Sequence, residues 1–125
     1  MKKFLVLILL LVLASPVFAA DWFQYAPKGW LDKDSVQVYD DTVTIWFKDL
    51  NPGDWDKINN KKVWYRMNQI RANCRKKTLT ILSVAEYDLN NKVLFSYNFK
   101  SYEQEEEPII PESVGEWKFL FMCGE

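Results

Sequence analysis

The chain has 125 residues, with 16 Lys and Arg against 17 Asp and Glu and no histidine. That length accommodates one domain and not two. The missing histidine removes Ser-His-Asp and Cys-His catalysis and the commonest metal ligand, and the near-balanced charge argues against a nucleic-acid partner.

Lys2 and Lys3 precede an unbroken apolar run from Phe4 to Ala14, which Ser15 and Pro16 break before Val17-Phe18-Ala19. This is the basic, apolar and small-residue order of a cleavable signal peptide. The rival reading is a membrane anchor, but the run is about half of the roughly 20 residues that span a bilayer. The expected organisation is a signal peptide over residues 1–19 and a single domain over 20–125, with no membrane span after cleavage. No cysteine lies near the cleavage site to accept a lipid. The expected location is therefore the periplasm, the cell surface or the medium, without a lipid anchor. Removing Lys2 and Lys3 from the 16 basic residues leaves 14 against 17 acidic, a net charge of −3, which suits a soluble surface.

The domain opens on Trp22-Phe23-Gln24-Tyr25, which reads as a short edge strand, punctuated by Pro27 and Gly29. Ser35 to Val38 reads as a strand, Asp40-Asp41 as a turn, and Thr42 to Leu50 as the second arm of a hairpin. In that arm Val43, Ile45 and Phe47 alternate with Thr44 and Trp46, the period-two pattern of a strand. Asn51 to Lys62 is a loop by composition and carries Trp55. Val63 to Cys74 and Thr78 to Tyr87 read as two longer strands joined by the basic link Arg75-Lys76-Lys77. Asp88 to Asn91 makes another turn, in which asparagine tolerates the left-handed backbone, and Val93 to Lys100 is a further strand.

Ser101 to Pro111 is an acidic connector containing Glu103, Glu105, Glu106 and Glu107. A run of this kind usually forms a solvated surface. Val114 to Cys123 is ambiguous, because Trp117, Phe119, Phe121 and Cys123 alternate as in a strand. Ser113 and Glu116 form a capping box, however, and Val114, Trp117, Leu120 and Phe121 fall on one helical stripe. The spacing predicts a helix with that stripe on the sheet. Six Trp, six Tyr and eight Phe help so small a domain to assemble a core. The expected fold class is α+β, an antiparallel sheet of five to six strands packed on a C-terminal helix.

Cys74 and Cys123, an even count in an exported domain, read as a disulfide that tethers this helix to a strand end. The alternative is two buried thiols. Two cysteines without histidine make a poor metal site, so neither metal nor cofactor is expected. Gly-rich phosphate loops and a carboxylate pair in a defined cleft are also missing, and the domain reads as a binding module and not an enzyme. Arg71, Arg75, Lys76 and Lys77 cluster at one hairpin end, with Lys61 and Lys62 taken as neighbours, and form a candidate patch for an anionic partner. The competing reading is a charged end that keeps the sheet soluble. Trp46 and Trp64 are taken as core residues. Trp55 stands between core filling and an exposed binding role, and joins the candidate patch.

Several short pieces, in order, resemble the surface-adhesin protein E family of exported bacterial proteins. They are Leu31-Asp32-Lys33-Asp34-Ser35-Val36, Val43-Thr44-Ile45-Trp46, Ile70-Arg71-Ala72-Asn73-Cys74, Tyr87-Asp88 and Pro111-Glu112-Ser113-Val114-Gly115-Glu116, with Cys123 at the second cysteine position. Asn91 stands where a turn glycine is usual. The resemblance spans about Trp30 to Cys123. It implies a sheet with a disulfide-tethered C-terminal helix, adhesion to host extracellular-matrix proteins or binding to a cell-envelope component, and admits a homodimer. A different class of function, a periplasmic inhibitor or accessory subunit of an envelope enzyme, is the alternative.

Overall fold

The computed structural model describes residues 20–50, 57–58 and 60–124. The expected signal peptide and Trp55 lie outside the described residues. The strands are β1 (Trp22–Ala26), β2 (Gly29–Asp32), β3 (Gln37–Tyr39), β4 (Thr42–Leu50), β5 (Lys57–Ile58), β6 (Lys61–Lys62), β7 (Tyr65–Asn73), β8 (Thr78–Tyr87), β9 (Val93–Asn98) and β10 (Glu107–Pro108). The one α-helix among the described residues, α1 (Val114–Cys123), follows β10.

Eight strands make one antiparallel sheet in the order β1–β2–β4–β7–β8–β10, with β3 also on β4 and β9 also on β8. They occupy six rows. β2 pairs with the Phe47–Asp49 end of β4 and β3 with its Thr42–Thr44 end, so both share one edge. A 3-10 turn, Lys33–Ser35, separates them. There the Ser35 hydroxyl accepts from the Trp46 N–H at 2.9 Å and donates to the Asp32 carbonyl at 2.8 Å, filling the gap in the ladder. Ser35 is thus a bridge between strands and not part of one, and β2 is a strand that alternation does not reveal. β9 and β10 share the far edge of β8 in the same way. β5 and β6 form a separate hairpin.

The connections follow turn chemistry. Asn91 at the β8–β9 turn has φ 63°, the left-handed backbone asparagine tolerates. Lys77, at φ 59° in the β7–β8 turn, has no such chemical excuse and is held there by the hairpin. At the start of α1 the Ser113 hydroxyl accepts from the Glu116 N–H at 3.1 Å. The Glu116 carboxylate reaches one residue further back than the expected box, to the Glu112 N–H. Gly124 ends the helix with φ 74° and its N–H on the Leu120 carbonyl, the left-handed cap that glycine adopts without strain.

The helix lies on one face of the sheet, and the core sits between them. Tyr25, Leu31, Ile45, Phe47, Ile70 and Ala72 supply the sheet side, and Phe119 and Met122 the helix side. Phe47 is fully buried at the centre, edge-on to Tyr25 at 5.4 Å. A buried phenylalanine contributes roughly 1.5–3 kcal/mol. The Cys74–Cys123 disulfide is present, with a Cα–Cα distance of 5.6 Å.

The helix presents a different stripe from the expected one. Phe119, Met122 and the aliphatic stem of Lys118 are buried, whereas Val114, Trp117, Leu120 and Phe121 are 40–59% exposed. The cause is electrostatic and covalent. Lys118 is drawn inward by Asp49, their charged atoms 2.7 Å apart, and Cys123 fixes the rotation of the last turn. Trp64 is also corrected: it is exposed, with the Lys62 ammonium 5.6 Å over its ring. Trp46 is half-buried on the sheet face away from the helix.

Candidate functional site

The basic hairpin end lies at the Asn73 end of β7, and three of its four basic side chains are engaged. Arg71 donates to the Gln104 side chain at 3.4 Å, Arg75 pairs with Asp41 at 3.3 Å and Lys76 with Glu106 at 3.6 Å. Lys61 and Lys62 belong to β6, which precedes the opposite end of β7, so they are not neighbours of this cluster. Trp55, on the undescribed stretch between β4 and β5, is not placed with it.

What holds those charges is the acidic connector. Between Gln104 and Pro108 the backbone is extended, so side chains alternate. Gln104 and Glu106 turn to the basic end, where Glu106 also accepts from the Thr78 hydroxyl at 2.7 Å. Glu103, Glu105 and Glu107 turn the other way and line a cavity of about 490 Å³ beside α1. The Glu106 carboxyl is held below the usual carboxylate range by the Thr78 hydroxyl and then by Lys76. Glu103 is likewise lowered, by the Tyr97 hydroxyl at 2.6 Å and by the Lys100 N–H.

Acid should therefore loosen the connector before the core. Both carboxyls are depressed on folding, so what they contribute is complete above the ordinary value of 4.5. It is lost as pH falls through the folded values. Amide exchange protection at Gln104 and Glu107 should drop below pH about 4 while Ile45 and Ile70 stay protected. Full protection of the connector at pH 3 would contradict this attachment.

The second surface was hidden from the sequence because it depends on which way the helix faces. Turned outward, Val114, Trp117, Leu120 and Phe121 form an apolar strip, extended by Phe23, whose ring lies 5.9 Å from that of Phe121. Beside it a cavity of about 520 Å³ is walled by Val114, Trp117, Pro27 and Gly29, with Tyr25 and Asp49 at its base. The Tyr25 hydroxyl donates to Asp49 at 2.6 Å, and Lys118 binds the other carboxylate oxygen. Burial, reinforced by the charge of Asp49, pushes the Tyr25 hydroxyl far up, so it remains a donor at any physiological pH. Gly29 makes the seat for this ring: a Cβ there would lie 2.6 Å from the Tyr25 ring. The site offers aromatic surface and a buried, fully partnered polar base. No cluster of groups that could hold a metal occurs among the described residues, and none of their helices is long and apolar enough to cross a membrane.

The model of the surface-adhesin protein E family matches residues 22–124. A comparison with curated proteins finds no match. Among solved structures, protein E of Haemophilus influenzae in its second crystal form superposes with a TM-score of 0.61 at 11% identity, covering 89% of this chain and 94% of that one. Protein E from the non-typeable bacterium gives 0.58 at 11% identity, with 89% and 81% covered. A third structure of the H. influenzae protein gives 0.58 at 14% identity, with 89% and 90% covered. At such identities the likeness is one of fold.

Proposed function

The chain belongs to the surface-adhesin protein E family, and from that premise we propose that it is an exported, non-enzymatic adhesin-type domain that binds a protein of the host extracellular matrix. The observation that carries this reading is the outward aromatic strip of α1. Trp117 and Phe121 are 46% and 49% exposed, although a disulfide and a buried ion pair hold the helix that bears them. Rigid, exposed aromatics are the side chains that dominate protein interfaces. Export follows from residues 1–19 acting as a cleaved signal, and the basic end is a lesser surface, its charges largely engaged.

Protein recovered from the envelope should begin at Ala20 or Asp21 by intact mass, and protease treatment of whole cells should degrade it. Survival of the protein under that treatment would move the partner to the cell envelope. Trp117→Ala with Phe121→Ala should weaken binding to immobilised matrix protein about 30-fold, the loss of roughly one 2 kcal/mol anchor. Binding unchanged in that double variant would defeat the assignment of the strip. Arg71→Gln, Arg75→Gln, Lys76→Gln and Lys77→Gln, made together, test the other surface. Weaker binding with a flattened salt dependence would transfer the contact to the basic end. Sedimentation of the same preparations separates a homodimer formed through the strip from a foreign partner.

A further inference from the structure

The helix covers only part of its side of the sheet. Its main contacts are to β1, β4 and β7, and Gly115 lies beside Leu79 of β8. Beyond them, on β8 and β9, Ile81, Phe95 and Tyr97 remain 45%, 44% and 37% exposed. The register places Phe95 opposite Glu86 and Tyr97 opposite Val84, with Glu86 and Val84 opposite Arg66 and Asn68. Paired residues share a face, so this row looks to the same side as α1, with Tyr97 edge-on to Phe99 at 5.0 Å and its hydroxyl on Glu103. The groove beside the helix opens onto it, floored by Ile70, Leu79, Ile81 and Phe99.

The rim of this groove has one sign. Glu103, Glu105 and Glu107 line it on the connector side. The cation on the other side, Lys118, is already matched to Asp49 at 2.7 Å. Glu103 is engaged by Tyr97, while Glu105 and Glu107 are exposed. An apolar floor with an acidic rim selects against anions and against purely apolar segments. It suits a long aliphatic stem that ends in a cation. A cavity of about 490 Å³ is ample for one such side chain with an apolar neighbour.

We propose that this groove is a second docking site, which receives a lysine- or arginine-bearing segment of a protein partner, its stem on Ile81 and Phe99 and its charge between Glu105 and Glu107. The site is separate from the outward strip of α1, so either can fail while the other stands.

The test uses the purified disulfide-bonded protein and two synthetic peptides, hexalysine and an alternating Lys-Leu hexamer. Backbone amide shifts are followed by NMR at about 0.15 M salt. The Lys-Leu peptide should move Ile81, Phe99, Glu105 and Gly115 together and bind at least tenfold more tightly than hexalysine, whose exposed charges are screened at this ionic strength. Glu105→Gln with Glu107→Gln should weaken the Lys-Leu peptide about tenfold, from two exposed charge pairs at the upper end of their usual strength. Both positions are exposed, so the double variant should fold. Equal binding of the two peptides, with shifts scattered over the acidic surface, would reduce the groove to unspecific attraction and overturn the proposal. Shifts confined to the Val114–Phe121 strip would overturn it too. A double variant that leaves peptide binding intact but changes the sedimenting mass would also overturn it, in favour of a second copy.

Discussion

Replacing Cys74 and Cys123 together with alanine should lower stability by as much as about 4 kcal/mol, and the loss should start at the helix. The two cysteines are 49 residues apart. In the chain-entropy model a loop of that length is worth about 4 kcal/mol, with native strain or a structured unfolded state subtracting from it. Small domains hold only about 5–15 kcal/mol in total, so the fraction lost is large. The local order follows from what anchors α1. Its buried side chains are Lys118, Phe119 and Met122, none of them in the first turn. Without the bond a helix held by so few buried side chains opens first. Limited proteolysis should cut after Pro111 while β4, β7 and β8 survive. Cleavage beginning in β4 or β7 would show that the bond supports the sheet and not the helix.

Asp49→Ala should cost about 3 kcal/mol, the low end for removing one partner of a buried ion pair, because the Asp49 side chain is itself 25% exposed. The change leaves the Lys118 ammonium, on a side chain only 9% exposed, against the Phe47 ring at 5.1 Å. It also takes the acceptor from the Tyr25 hydroxyl. Asp49→Asn combined with Lys118→Met should behave differently. Asparagine still accepts from Tyr25 through its amide oxygen, and methionine replaces the lysine stem on Phe47. A buried pair exchanged as a pair is often neutral, so this variant should lie within about 1 kcal/mol of the parent. Urea melts of the two variants decide the matter. If Asp49→Ala melts with the parent, the pair is screened as a surface pair would be, and the helix owes its rotation to Cys123 alone.

Much of the fold was legible. β4 follows from the alternation of Val43, Ile45 and Phe47, the β8–β9 turn from Asn91, the start of the helix from Ser113, and its tether from the two cysteines. Three features were not. A hydrophobic stripe shows that a helix has a face, but α1 has two candidate stripes. Phe119 and Met122 win because Lys118 beside them finds a counter-ion on β4, 69 residues away in sequence. Trp64 looks like core by composition and lies just outside β7, where a lysine can cover it. The acidic connector reads as solvated charge because composition is blind to the strand edge that extends it. Both candidate surfaces owe their existence to these long-range placements.

The connector has one more consequence. Glu103, Glu105 and Glu107 face the groove, while Gln104 and Glu106 hold the basic end. The two sets interleave with a period of two. Inserting a single neutral residue after Glu106 would leave the acidic content and net charge unchanged. If the β10 pairing held, the shift would run back from the insertion, and Glu105 would turn toward Arg71 and Lys76 as Glu106 came round to the groove side. What this stretch encodes is carried by phase. Two chains with identical acidic content, out of step by one residue, would present different surfaces to the same partner.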